Sequence, residues 1–487
     1  MKRFLHPALI SISIASLLGG LCLMFPSLWF FAPISLALFF YTLVKWTRCG
    51  IHAFGYGFLF AFVTAASGIL WFWDAYPLDW LGIASRTVQW EVLFMTWVMV
   101  SAALAIGPAL VAVGLWKVRA SRFFPLFATV LWVLAEELRM WGFAALTWGA
   151  QSFVGPHFSS AALGYAFTEN SYLLQLARFG GLPMLNLAVA AFAALFVELV
   201  LLRSSHETPR LRLSIGTSAV IALLVLPLIP SHPHLLTSPV RAALVTTQHS
   251  GSTLSLEEAR AEDVALLAQA GHEHAGLVVF PEGHGLIETL PDAEDRAKTL
   301  GELVPGALVM SAGTLHTPEG TRARLTYDTD TDGTLATYDK LFFMPLGEYT
   351  PYLALPIFST LGDGDVTSFL DKRMHGLTRG TDLITVPYLG NIIGGLLCSE
   401  TVSPYLYHEL GKGGANLLVN LSNPVWFRNS HLLYARMLEF GKLHAVQDSA
   451  YYLQASNLAP SFAIDPHGQI IAQSAWATTS VMIVDLR

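Results

Sequence analysis

Three residue types that cooperate in acyl transfer stand at the ends of apolar or hairpin runs in the second half of the chain. Cys398 lies near the end of NIIGGLLCSE (391–400). A thiol at the carboxyl end of a buried strand can act as a nucleophile where a base and a cation assist it. Glu282 closes GLVVFPE (276–282). Pro281 cannot donate to a sheet ladder, so the strand stops there and the carboxylate can project from its end. Lys340 ends RLTYDTDTDGTLATYDK (324–340) and opens the apolar run of YDKLFFMPLGEYTPY. Together the carboxylate can take the thiol proton, the thiolate can attack a carbonyl, and the ammonium and the backbone N–H after the cysteine can stabilise the oxyanion. Each alone has a plainer role: a small buried hydrophobe, a solvated loop acid and a snorkelling surface lysine. The chemistry calls for no cofactor.

The elements around these residues read as α/β. AALVTTQ (242–248), GLVVFPE and ALVMSAGTL (307–315) are strand-like, and LEEARAEDVALLAQAG (256–271) reads as an amphipathic helix ending at a glycine. The run 324–340 reads as two strands around an Asp-Gly turn. NIIGGLLCSE, ANLLVNLSN (415–423) and SFAIDPHGQIIAQS (461–474) add further strands, and the apolar runs VVF and IIGGLL suit strands covered on both faces. Asp328, Asp330, Asp332 and Gly333 spell DxDxDG, as in a calcium loop. Position twelve is Asp339 where glutamate is needed, and a tight hairpin turn explains the same residues. His272 and His274 lack a third ligand, and GKGG (411–414) lacks the phosphate-loop pattern, so no metal site is expected.

The first half is of another kind. The 487 residues are 53% hydrophobic and 13% charged, against about 25% charged in soluble proteins, and the mean hydropathy is +0.51. Residues 1–231 carry 13 Lys+Arg and 8 Asp+Glu, a net of +5, so the rest carries 28−13 = 15 against 35−8 = 27, a net of −12. With a total of −7, a nucleic-acid binder driven by phosphate contacts is not expected. Seven apolar stretches (about 7–24, 27–44, 53–73, 90–115, 123–138, 181–202 and 213–230) approach the roughly 20 residues that cross a bilayer. We therefore expect a membrane domain over 1–231, with about seven transmembrane helices, and a soluble domain over 232–487. With the N-terminus in the cytoplasm, Lys2, Arg3, Lys45, Arg48, Lys117, Arg119, Arg122, Arg203, Arg210 and Arg212 fall on the cytoplasmic side, and only Arg86, Arg139 and Arg178 opposite. The positive-inside rule selects this orientation and puts 232–487 outside the cytoplasm. An outer loop near 139–180 is rich in aromatics, Trp148 among them. It suits an interfacial belt or a lipid-facing mouth.

The ordered set FPEGHG, YDKLFFMPLGEYTPY and GGLLCSE resembles the Glu-Lys-Cys pattern of the nitrilase (carbon–nitrogen hydrolase) superfamily. With the multispan first half it resembles the apolipoprotein N-acyltransferase family, as a divergent member. LSNPVWF (421–427) is similar to that family's S-N-D-A-W-F segment, and AEELRMWGF (135–143) to its E-x-x-R-G stretch. The resemblance implies a nitrilase-like αββα sandwich on a multi-pass helical membrane domain. It implies Glu282 as general base, Lys340 as oxyanion cation and Cys398 as the acylated nucleophile. Glu348, Glu400 and Ser399 would support the site, and Tyr349, Trp426, Asn423 and Trp148 are candidate substrate contacts. The implied reaction takes an acyl chain from a phospholipid, typically phosphatidylethanolamine, and passes it to the amine of a diacylglyceryl-cysteine apolipoprotein at the outer face of a bacterial inner membrane. A membrane-tethered amidase, or an acyltransferase with another acceptor, is the alternative. Departures are Phe280 in place of Trp, Pro424-Val425 in place of Asp-Ala, and HAVQDSAYYLQASNLA (444–459) where the family has R-A-x-E-x-x-R-P-x-x-R-x-x-N-x-G. That segment keeps Asn457 and lacks the arginines, the glutamate and the last glycine. The family also leads one to expect a final membrane helix, which the sequence up to Arg487 does not contain.

Overall fold

The computed structural model describes residues 7–81, 83–204, 210–230, 236–249, 254–318, 320–356 and 376–487. Lys2 and Arg3, used in the orientation argument, lie outside the described residues. The chain divides into two compact units: 1–73, 90–146 and 154–231 form one, and 74–89, 147–153 and 232–487 the other.

The first unit is helical. Its long helices are α1 (Pro7–Met24), α2 (Phe31–Lys45), α3 (Gly50–Gly68), α4 (Arg86–Val118), α5 (Phe124–Leu146), α6 (Gly181–Ser204) and α7 (Arg210–Val225). Among the described residues, five helices are long and apolar enough to cross a membrane, and Phe31–Lys45 is a shorter apolar helix. Helix α5 carries Glu136 and Arg139, which pair at 2.8 Å with side chains 1% and 0% exposed. Such a pair suits the inside of a helix bundle, where an unpaired charge would be costly. Helices α4 and α5 cross closely because the residues at the crossing are small. A Cβ on Gly107 would lie 2.6 Å from the Leu138 carbonyl carbon, and one on Gly142 would press on the Ala103 carbonyl.

The second unit is layered α/β. One half of its sheet runs β5 (Ala336–Asp339), β4 (Gly320–Asp328), β3 (Leu308–Thr317), β2 (Leu277–Glu282), β1 (Val240–Thr247). The other runs β6 (Val386–Tyr388), β7 (Asn391–Leu397), β8 (Leu417–Ser422), β9 (Tyr451–Asn457), with β10 (Phe462–Ile464) and β11 (Ile470–Gln473) beyond. The second edge of β1 takes β12 (Ser480–Leu486) antiparallel, and its last residues pair with β9 at Thr246↔Ser456 and Thr247↔Asn457. The two halves of the sandwich are thus one sheet folded on itself. They meet face to face at Gly395 of β7, where a Cβ would lie 2.5 Å from Met310 of β3, and Tyr327 of β4 accepts the Gly395 N–H at 2.9 Å.

Helices cover both outer faces. α8 (Leu256–His272) and α9 (Ala293–Leu303) bury Leu266, Leu267 and Leu300 against Val245, Val278 and Val309. α10 (Pro404–Lys412) places Leu410 against Gly394 of β7, and α11 (His431–Gln447) places Gly441 against Tyr452 of β9. Three of these helices start at Ser255, Asp292 and Ser430, whose side chains accept backbone N–H groups of the first turn. The αββα sandwich and the helical membrane half both agree with the sequence reading. In the DxDxDG run the carboxylates serve the turn: Asp328 is buried and accepts Thr326 and Thr334, and Asp332 accepts Thr329 and Thr331.

Candidate active site

Glu282 is the last residue of β2. The β2–β3 register shifts between Val279 and Glu282, so Pro281 sits in a bulge where no ladder hydrogen bond is demanded of it. Gly283 follows with φ 93° and turns the chain away. Lys340 follows β5, its backbone fixed between the Ala323 carbonyl (2.9 Å) and the Gly380 N–H (2.9 Å). Cys398 follows β7 and opens a turn of 3-10 helix, Cys398–Val402. Its φ is 40°, a left-handed conformation rare for a side chain with a Cβ.

These three ends converge. Lys340 Nζ lies 3.1 Å from Glu282 Oε1 and 2.7 Å from Glu348 Oε1. Glu348 is held in turn by the Met344 N–H at 2.6 Å. The Cys398 thiol is close enough to the Glu282 carboxylate to feel its charge, and it donates to the Asn423 carbonyl at 3.8 Å. Burial pushes the Glu282 carboxyl up, with Lys340 opposing. Burial and the Glu282 charge push the Cys398 thiol up to about 12. Burial works against the Lys340 ammonium, but Glu282 and Glu348 outweigh it and hold its pKa well above the usual range. The resting arrangement is a neutral thiol beside a carboxylate that is a better base than usual, backed by a permanent cation. It can transfer the thiol proton and meet a developing oxyanion without outside help. Among the described residues no cluster of His, Cys, Asp and Glu could hold a metal ion.

The supporting residues take distinct places. Glu400 is buried, and its Oε1 accepts Tyr338 OH (2.7 Å) and the N–H groups of Leu341 (2.9 Å) and Phe342 (3.0 Å), its Oε2 that of Leu397 (2.8 Å). It clamps the chain before Cys398 to the chain after Lys340. Ser399 does the same, donating to the Phe342 carbonyl at 3.1 Å. Asn423 accepts the Asn457 amide at 2.8 Å. Tyr349 is buried and donates to the Thr147 carbonyl at 2.6 Å, which fixes the 147–153 segment in this unit. Trp148 is 60% exposed and meets Tyr352 edge-on at 5.4 Å. Trp426 packs on Trp80 at 4.6 Å. Two groups were missed in the sequence. Arg379 stacks over Phe153 at 5.3 Å and makes no ion pair among the described residues. Arg436 and Glu439 pair at 2.7 Å inside α11, with side chains 2% and 0% exposed. Their R-x-x-E step is continued by Lys442.

Residues 326–487 match the carbon–nitrogen hydrolase family model. The chain is 24% identical to the apolipoprotein N-acyltransferase of Aquifex aeolicus over 73% of this chain and 81% of that one. It is 26% identical to the apolipoprotein N-acyltransferase of Gloeobacter violaceus over 90% and 80%. The chain is thus similar to apolipoprotein N-acyltransferases along most of its length. With the apolar helices of its first unit it is a membrane protein. Against the Rhodopseudomonas palustris relative, 28% identical, the match covers 44% of this chain and 40% of that one.

Proposed function

We propose that the chain transfers an acyl chain from a membrane phospholipid, through a thioester on Cys398, to the N-terminal amine of diacylglyceryl-cysteine lipoproteins. The observation that carries this reading is the Glu282–Lys340–Glu348 array around a cysteine on a left-handed turn. In the first half-reaction Glu282 takes the Cys398 proton as sulfur bonds to the ester carbonyl carbon. Lys340 and the Ser399 N–H stabilise the oxyanion. The C–O bond breaks, the alkoxide takes the proton from Glu282, and a lysophospholipid leaves. In the second half-reaction the acceptor amine attacks the thioester and Glu282 moves its proton to sulfur. An amide and the free thiol result.

Residues 1–231 act as the membrane domain and 232–487 as the catalytic domain, outside the cytoplasm of a bacterial inner membrane, on the ten-to-three lysine and arginine asymmetry. A phosphodiester donor such as phosphatidylethanolamine suits Arg379, whose guanidinium makes no ion pair among the described residues and stands next to the glycine that holds the Lys340 backbone. The exposed Trp148, Tyr352 and Leu353 suit a lipid beside it. The test is intact-protein mass spectrometry after incubation with phosphatidylethanolamine, with Cys398→Ala in parallel. A hydroxylamine-sensitive acyl adduct on the wild-type chain alone is expected, discharged by a diacylglyceryl-cysteine peptide. Discharge to free fatty acid with no amide selects the amidase-like alternative.

A further inference from the structure

The segment that departs most from its family's pattern builds a polar wall behind the cysteine. Asn420 of β8 donates through Nδ2 to the Cys398 carbonyl at 3.3 Å and to Tyr452 OH at 3.3 Å. Tyr452 OH lies 2.9 Å from Thr401 Oγ1 and donates to Gln454 at 3.2 Å. The Thr401 carbonyl, three residues past Cys398, accepts His444 Nε2 at 2.8 Å. Burial lowers the His444 pKa to about 4, so the ring is neutral and Nε2–H is the donor. All four groups are buried between β7, β8, β9 and α11. A leucine at 420 would fill the same space without the desolvation cost of an amide. What the amide adds is its bond to the nucleophile's own carbonyl. Cys398 needs such support, because a left-handed non-glycine residue persists only where its surroundings over-determine it.

We infer that Asn420 and Tyr452 are positioning residues that lock the left-handed turn at Cys398 and aim Sγ at Glu282 and the substrate carbonyl. This rests on Cys398 being the nucleophile, as proposed above. The network acts on the rate of acylation and not on donor binding, since neither side chain reaches the surface. Its members act as one chain, so their losses do not add.

The test uses the full chain in detergent with Tyr452→Phe, Asn420→Leu and the double variant. Single-turnover release of p-nitrophenolate from p-nitrophenyl butyrate reports Cys398 acylation without any phospholipid. Thioester formation from phosphatidylethanolamine is followed separately. The acylation rate constant is expected to fall about 10-fold in Tyr452→Phe, which breaks the links to Asn420, Thr401 and Gln454, and somewhat more in Asn420→Leu. The double variant should equal Asn420→Leu, with burst amplitude and KM unchanged. A merely structural role would instead lower the amplitude or the Tm and leave the rate constant per active thiol intact. Rate constants within twofold of wild type in both single variants overturn the inference. A wild-type chain with no Cys398-dependent burst overturns both the nucleophile assignment and the inference. A burst with the ester but no thioester from phosphatidylethanolamine overturns the donor alone.

Discussion

Replacing Glu282 by glutamine tests the core of the proposed chemistry. The Cys398 thiol is pushed up to about 12 by burial and by the Glu282 charge. Unassisted at pH 7.5, such a thiol would be ionised to about one part in 30,000, a tenfold loss for each unit of separation. In the proposed chemistry Glu282 removes this obstacle by accepting the proton as the C–S bond forms, and general bases typically contribute about 10²–10⁴ in rate. The glutamine also removes a negative charge from beside sulfur, so the thiol pKa falls and part of the loss is recovered. Lys340 keeps Glu348 at 2.7 Å and stays charged. The net expectation is an acylation rate constant about 10³ lower at pH 7.5. The residual rate should climb about tenfold per pH unit towards pH 10, because solvent must now ionise the thiol. The wild-type rate should be flat over that range. Rapid-quench mass spectrometry of the Cys398 thioester between pH 6 and 10 measures both. A Glu282→Gln rate within tenfold of wild type, with a flat profile, would refute the assignment of Glu282 as base.

The wild-type profile carries its own test. Burial raises the Glu282 carboxyl above the usual 4.5, and in the proposed mechanism its carboxylate form is the base. Acylation is therefore complete above that raised pKa and is lost as pH falls through it, so the acid limb should have its midpoint above 4.5 in a stopped-flow profile. Lys340→Met leaves Glu282 and Glu348 facing each other without their cation. Thermal unfolding should show a loss of about 3 kcal/mol or more, together with loss of the thioester. Glu400→Ala removes the acceptor of four hydrogen bonds, and its Tm should fall by more than that of Ser399→Ala, which loses one. Arg379→Gln should raise KM for phosphatidylethanolamine about tenfold and leave turnover of p-nitrophenyl butyrate unchanged. Equal effects on both donors would remove Arg379 from headgroup recognition.

The sequence made some of this plain and concealed the rest for physical reasons. VVF and IIGGLL are covered on both faces, so strands β2 and β7 announce themselves as apolar runs, and Glu282 and Cys398 at their ends follow directly. Lys340 was legible from the Asp-Gly hairpin that delivers it. Strand β9 was not: Gln454, Ser456 and Asn457 are buried, and a strand that faces a polar network has no apolar periodicity to read. The same polarity hid Asn420, which sits in the middle of LLVNLS and looks like an interruption. Its meaning lies in pairings across the fold, with Tyr452 and the Cys398 carbonyl. Arg379 was hidden by distance, since its partner Phe153 is more than two hundred positions away in the chain.

The departures from the family pattern share a location that argues for retained chemistry. Pro424 and Val425 lie in a turn whose cap, Asn423, still accepts the Val425 N–H and still offers its carbonyl to the Cys398 thiol. Asn457, retained in the altered segment, donates to Asn423 and to the His249 carbonyl, tying β9 to the end of β1 where the sheet folds on itself. The changed residues thus alter the wall of the site and keep the groups that fix its reacting atoms. A decaying scaffold has no reason to keep a buried lysine between two carboxylates, because that arrangement is costly once any member is lost. Its presence beside a strained cysteine supports the reading of Cys398 as the reactive thiol.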